Sequence, residues 1–192
     1  MVTDEQLLAD YLKGDKTAFA ELMRRYQQEL FAFLQRFVAD QTVAEDLFQE
    51  TFIQVHRNAG LFDPQRRFRP WLFTIAANKA RDYLRSSGRR TSQSLDNTTG
   101  GEDASTFLDL MQSDTPPPPD DLIAAEDIAK VQEVLQTMPT MYREVLILSY
   151  FHRFAYKEIA DMQGVPLGTV KSRLHAALAN FAKLWKSRYG KR

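Results

Sequence analysis

Two clusters of side chains have types and spacings suited to nucleic acid. In the first, Phe62, Arg66, Arg67, Phe68 and Arg69 interleave aromatics with cations. Trp71, Thr74, Asn78, Arg81 and Arg85 follow at intervals of three and four, on one face of a helix. Rings stack on bases and guanidiniums hold phosphates, so the combination fits a single strand or a base turned out of the stack. The same residues admit a second role, with Phe62 and Phe68 plugging a bundle end and the arginines solvated. Composition alone leaves both open. The second cluster lies on a helix beginning near Gly168 or Thr169. One face holds Gly168, Ser172, His175, Ala176 and Ala179, with Lys171 and Arg173 at its edges. Small residues between cations let a helix approach base edges in the major groove while its flanks meet phosphates.

A third cluster is acidic. Asp46 and Glu50 stand four residues apart with Gln49 between them, on what should be the exposed face of a helix. No histidine or third carboxylate joins them at ligand spacing, since His56 falls a turn and a half further on. A protein-docking face is therefore favoured over a metal or acid–base site. His152 and His175 are isolated, and no nucleophile triad, phosphate-binding glycine loop or zinc pattern is present. Neither enzymatic activity nor a cofactor is expected.

The charge is unevenly distributed. Formal net charge is zero, yet residues 66–90 hold eight Lys or Arg against one acid, and residues 153–192 hold nine against two. Residues 91–129 hold nine acids and no Lys or Arg. Neutrality is thus an average over two basic blocks and an acidic middle, which fits a nucleic-acid partner at both ends. The chain has no cysteine, which excludes a disulfide framework and thiolate metal sites. The acidic start MVTDEQLLADYLKGD does not read as a signal peptide. No run approaches the roughly 18 apolar residues of a membrane span. No membrane insertion and a cytoplasmic location are expected.

The elements that must position these clusters are all helical. Thr3 and Gln6 predict a capping box opening a helix over Asp4–Lys13, ended by Gly14. A long helix from about Thr17 carries Phe19, Leu22, Met23, Tyr26, Leu30, Phe33, Leu34 and Phe37 on one stripe. Thr42 and Glu45 predict a second capping box, with a helix to about Asn58 that buries Leu47 or Phe48, then Phe52 and Val55. After the loop from Gly60, with Pro70 in its first turn, a helix over Trp71–Arg85 is expected to bury Leu72, Ile75, Ala76, Ala80, Tyr83 and Leu84. These four helices can close a bundle. Residues 88–119, polar and ending in Pro116–Pro119, read as a flexible acidic linker. Helices resume over Asp120–Gln136, Thr140–Phe151 and Tyr156–Gln163. Gly164 makes the break, and the last helix runs to about Trp185 with Val170, Leu174, Ala177, Leu178, Phe181 and Leu184 inward. The fold class is therefore all-α: an N-terminal four-helix bundle (1–87), the linker (88–119) and a C-terminal helix-turn-helix domain (120–192).

The sequence resembles the extracytoplasmic-function (ECF) sigma factors of bacterial RNA polymerase over nearly its whole length. The segments that carry the resemblance are DLFQETFIQVH (Asp46–His56), FDPQRRFRPWL (Phe62–Leu72), IAANKARDYLR (Ile75–Arg85) and GTVKSRL (Gly168–Leu174). The linker matches no motif of the family. The resemblance implies that Asp46, Gln49 and Glu50 dock on the clamp helices of the polymerase largest subunit. It implies that the loop Leu61–Arg69 forms a pocket for an unpaired base of the −10 element, with Trp71, Asn78, Lys79 and Arg81 lining the strand's path. Thr169, Lys171, Ser172, Arg173 and His175 would read the −35 element as duplex. Part of Tyr142–Phe151 and the helix before the turn would meet the polymerase flap, and an anti-sigma factor is an expected partner. Without the resemblance, a stand-alone helix-turn-helix regulator and a magnesium nuclease using Asp46 and Glu50 remain as rivals.

Overall fold

Every regular element in the described residues of this computed structural model is a helix. The structure describes residues 2–88 and 125–190. The expected linker, apart from Gly88, and the expected helix start at Asp120 lie outside them. The chain divides into two compact units, parting between Ser87 and Gly88.

In the first unit, α1 (Asp4–Leu12) opens on the Thr3–Gln6 capping box. α2 (Lys16–Val38) starts at Asp15, whose carboxylate accepts the Thr17 N–H at 2.9 Å. It ends where Ala39 turns left-handed at φ 57°. α3 (Gln41–Asn58) follows after two residues. Its cap is Asp40, which accepts the Val43 N–H at 3.1 Å, and not the expected Thr42–Glu45 box. The tight link from Ala39 leaves Asp40 as the last extended residue, so Thr42 is already inside the first turn. A short 3₁₀ turn, Ala59–Leu61, leads into the loop before α4 (Phe68–Ser86).

α4 begins three residues earlier than its expected start at Trp71, and its buried arc includes Phe73 and Ala77 in place of Ile75 and Tyr83. Phe68, Leu72, Phe73, Ala76, Ala77, Ala80 and Leu84 are buried, whereas Ile75 and Tyr83 are only half-buried. Phe73 meets the Phe33 ring of α2 edge-on at 5.2 Å. The three alanines let α4 lie close against α2 and α3, and each fully buried Phe or Leu contributes about 1.5–3 kcal/mol. On α2, Leu22, Leu30, Phe33, Leu34 and Phe37 are wholly buried, as their spacing requires.

In the second unit, α5 (Ala125–Thr137) and α6 (Thr140–Leu146) are joined by the Met138–Pro139 corner. Arg143 is buried there and staples the corner. Its guanidinium donates to Gln136 Oε1 at 2.7 Å, to the Gln136 carbonyl at 2.9 Å and to the Met138 carbonyl at 3.3 Å. The Gln136 carbonyl lies in the last turn of α5, where a cation is favoured. Burial pushes the Arg143 pKa down to about 10. Beyond Leu146 the helix widens into a π-turn over Ile147–Phe151, and the His152 N–H reaches back to the Ile147 carbonyl. α7 (Tyr156–Gln163) and α8 (Leu167–Tyr189) complete the unit.

The two rival caps of α3 give a direct check by thermal melting. Asp40→Ala should cost about 0.5–2 kcal/mol, a fall of about 4–8 °C per kcal/mol in the midpoint of a unit this size. Thr42→Ala should stay within about 0.5 kcal/mol of the parent. Equal losses would return the cap to Thr42.

Candidate nucleic-acid interface

The loop before α4 sorts the interleaved aromatics and arginines into different roles. Asp63 shapes the turn: its carboxylate accepts the Gln65 N–H at 2.9 Å and its carbonyl accepts the Arg66 N–H at 2.9 Å. Arg67, the residue before α4, gives no side-chain cap. The helix start is satisfied instead from α1, where the Glu5 carboxylate accepts the Phe68 N–H at 2.8 Å. Phe68 is wholly buried, its ring 5.6 Å from that of Tyr26. It acts as the plug of the bundle end, not as an exposed ring. Phe62 and Trp71 stay half-buried above it, 4.9 Å apart, each about 6 Å from Phe68.

The arginines divide likewise. Arg66 and Arg67 are exposed. Arg69 turns inward, pairing bidentately with Glu29 of α2 and lying 5.4 Å over the Phe73 ring. It is better placed to hold α4 on α2 than to hold a strand. Further along α4, Asn78 is exposed and accepts from Arg81, whose Nε also donates to the Ala77 carbonyl at 3.3 Å. Lys79 meets Glu50 of α3 at 3.0 Å, and Arg85 meets Asp82 at 3.1 Å. The Thr74 hydroxyl donates to the Pro70 carbonyl at 2.8 Å, so its donor is used within the helix. Surface pairs of this kind are worth about 0–1 kcal/mol, so a phosphate can displace the acid at little cost.

On α3, Asp46, Gln49 and Glu50 are all exposed, and Ile53, about one turn on from Gln49, is 49% exposed. No group of three or more His, Asp or Glu side chains gathers at metal-binding distance among the described residues. The acidic face is therefore a surface of carboxylates and one amide beside an apolar side chain.

In the second unit, α7 ends on Gly164 at φ 64°, and the Val165 N–H closes back on the Ala160 carbonyl at 3.0 Å. A left-handed glycine with this six-to-one bond sets the turn angle between the helices. α8 starts at Leu167 with Pro166 before it, one residue ahead of the expected Gly168, and runs four residues past Trp185. Gly168, Ser172 and Ala179 are exposed, with Thr169, His175 and Ala176 half-buried. The Ser172 hydroxyl donates to the Thr169 carbonyl at 3.0 Å, and Arg173 donates to Gln163 Oε1 at 3.0 Å. Lys171 departs from expectation. It is 8% exposed and does not stand at the rim of an open face. Its position is about a quarter-turn from the inward stripe Val170, Leu174 and Ala177, so its aliphatic stem falls at the edge of the packed arc. Leu178, Phe181 and Leu184 are only half-buried, so the fully buried part of the stripe ends at Ala177.

Glu5, Asp4 and Glu29 hold this region together with Tyr26, and these long-range pairings carry no local signal in the sequence. Each acts across 21 to 63 residues of chain.

Comparison with known proteins places these features in context. Residues 22–90 match the model of Sigma-70 region 2, and residues 128–181 match that of Sigma-70, region 4. The chain is 35% identical over 175 residues to the RNA polymerase sigma-H factor of Pseudomonas aeruginosa, covering 91% of this chain and 89% of that one. It is 31% identical over 163 residues to the ECF RNA polymerase sigma factor SigW of Bacillus subtilis, covering 85% and 86%. Among solved structures, CnrH in complex with the cytosolic domain of CnrY superposes with a TM-score of 0.69 at 25% identity, over 96% of this chain and 98% of that one. The sigma factor RpoE in complex with the anti-sigma factor NepR from Bartonella quintana shares the fold, with a TM-score of 0.64 at 23% identity over 88% and 98%.

The division of the aromatics can be measured by chemical denaturation. Phe68→Ala should cost about 3–5 kcal/mol, the loss for a fully buried ring. Phe62→Ala should cost about 1–2 kcal/mol, in the ordinary range for a part-exposed site. Equal costs would put both rings in the core.

Proposed function

From the premise that this chain belongs to the extracytoplasmic-function sigma factors of bacterial RNA polymerase, we propose that its two units divide promoter recognition into strand capture and duplex reading. As a member of that family it directs core RNA polymerase to promoters. Residues 1–87 are the unit that docks on the polymerase and captures the melted −10 element. Residues 120–192 read the −35 element as duplex, and 88–119 tether the two. The protein carries out no chemistry of its own and acts in the cytoplasm. No helix among the described residues is long and apolar enough to cross a membrane.

The observation that carries strand capture is the Phe62–Trp71 pair, half-exposed at 4.9 Å and set at the head of a cation-bearing helix. An unpaired base stacks against these rings, while Arg66 and Arg67 take its phosphates. Stacking on aromatics is worth about 1–3 kcal/mol per base, comparable to the few kcal/mol of unstacking. Asn78, Lys79 and Arg81 continue the path, with Lys79 exchanging Glu50 for phosphate. Phe68 and Arg69 serve the pocket from beneath, as its floor and its brace.

Duplex reading falls to the exposed face of α8. The lack of a Cβ at Gly168 opens the approach, and space around that position is clear. Thr169, Ser172, Arg173 and His175 reach base edges and phosphates, and Lys171, being covered, contributes little. Asp46, Gln49 and Glu50 meet the clamp helices of the largest polymerase subunit, which present complementary cations on this reading. Of the segment expected at the flap, Arg143–Ser149 are buried, which leaves Tyr142, Tyr150 and Phe151 as its surface. An anti-sigma factor is a fitting partner, since a protein of the same fold is solved in complex with one.

Run-off transcription with core polymerase tests the whole. A specific transcript should require this chain, and a chain that binds promoters equally well without polymerase would contradict the assignment. Arg173→Ala should weaken duplex −35 binding at every salt concentration and reduce the log–log salt slope by about one if the contact is to phosphate. Unchanged affinity and slope would remove Arg173 from the reading face. Asp46→Arg with Glu50→Arg should abolish polymerase binding while the far-UV spectrum stays helical. Retained binding would move the docking face elsewhere.

A further inference from the structure

We infer that Glu5 of α1 is a positioning residue for strand capture, fixing the start of α4 and thereby the Phe62–Trp71 pair. The inference rests on the proposed role of that pair.

An α-helix begins with N–H groups that have no partner within the helix. At α4 the preceding residue, Arg67, supplies no side-chain acceptor. Glu5, 63 residues earlier, does so at 2.8 Å. A carboxylate at this position also meets the positive end of the helix dipole. Burial alone would raise the Glu5 carboxyl pKa, but the Phe68 N–H, its own backbone N–H, the Thr3 hydroxyl and the Arg67 charge together hold it below the usual value. The anion is thus the form that the site favours.

The adjacent residue, Asp4, acts on the Phe68 ring through Tyr26. Asp4 accepts the Tyr26 hydroxyl at 2.5 Å and Arg25 Nη1 at 2.8 Å, and the Tyr26 ring packs 5.6 Å from Phe68. Two successive acids of α1 therefore fix Phe68 through its backbone and through the ring beneath it. Phe68 in turn supports Phe62 and Trp71. If Glu5 is removed, the first turn of α4 can fray, and the floor under the base moves with it. Sub-ångström placement matters for a stacked base, so the loss should appear in strand capture beyond any loss of fold.

The test compares holoenzymes carrying full-length variants, each assayed below its melting temperature. Glu5→Ala should slow open-complex formation about fivefold, the size of a lost helix cap, with polymerase binding and duplex −35 affinity unchanged. Glu5→Gln, which keeps an acceptor oxygen, should restore most of the rate. Asp15→Ala removes a cap of α2 that touches none of these groups, and it should lower the melting temperature with open-complex formation intact. Normal open-complex formation by Glu5→Ala, or equal losses for Glu5→Ala and Asp15→Ala, would overturn the inference. Should Glu5→Ala fail to fold, Glu5→Asp replaces it, since its carboxylate is withdrawn by one methylene. Glu5→Asp should then be slow while Glu5→Gln is not, and the reverse order would refute it. Phe62→Ala and Trp71→Ala are assayed alongside. If both capture strand normally, the pocket reading itself fails. If both are impaired while Glu5→Ala is normal, only the role of Glu5 fails.

Discussion

A helix that is to offer one face to nucleic acid, as proposed for α4 and α8, has only the opposite arc by which to be held. In α4 that arc is Phe68, Leu72, Phe73, Ala76, Ala77, Ala80 and Leu84. Large side chains at its start and Leu84 at its end leave small ones in the middle, where α2 and α3 come close. Because the outward face keeps Asn78 and its neighbouring cations, it adds almost nothing to stability. The burden passes to the ends, and the start of α4 is secured twice, by Glu5 on the Phe68 backbone and by Glu29 on Arg69. α8 is built under the same constraint. Its fully buried residues cease at Ala177, and its outward face is stripped to Gly168, Ser172 and Ala179.

Electrostatics follow from this arrangement. Three outward cations of the first unit are met by acids of the same unit: Lys79 by Glu50, Arg66 by Asp63 and Arg85 by Asp82. Such pairs are weak in water and are displaced readily by a polyanion. On the proposed reading they temper binding to unrelated nucleic acid, in a chain of zero formal net charge. The Glu50–Lys79 pair also joins the proposed docking face to the proposed strand path through one contact. Engagement of one side therefore alters what the other has available.

Local chemistry was legible in the sequence wherever it was complete within a few residues. The Thr3–Gln6 box, the Gly164 break and the stripe on α2 need only their own neighbours, and each stands as the spacing requires except that Phe19 and Met23, at the start of the stripe, are half-buried. The exposed Asp46, Gln49 and Glu50 were placed by helical periodicity alone. What periodicity could not place depended on distant partners or on a competing residue. Asp40 took the cap from Thr42 because the preceding Ala39 turned left-handed. Phe68 belonged to α4 because an acid from α1 completed its first turn. The burial of Lys171 came from its place at the margin of the packed arc, where a long stem and a charged head pull in different directions. For Phe62 and Phe68 the residue types fitted either a pocket or a plug; the structure buries Phe68 completely and leaves Phe62 half-buried.

The central claim is that one chain holds unpaired strand with Phe62 and duplex with Ser172. A photo-crosslinking side chain at each position, in holoenzyme on a promoter, measures this most directly. The account predicts that position 172 crosslinks to the −35 duplex in closed and open complexes alike. Position 62 should crosslink to the −10 strand only after melting. Crosslinking of position 62 to duplex in the closed complex, or of both positions to one element, would contradict it.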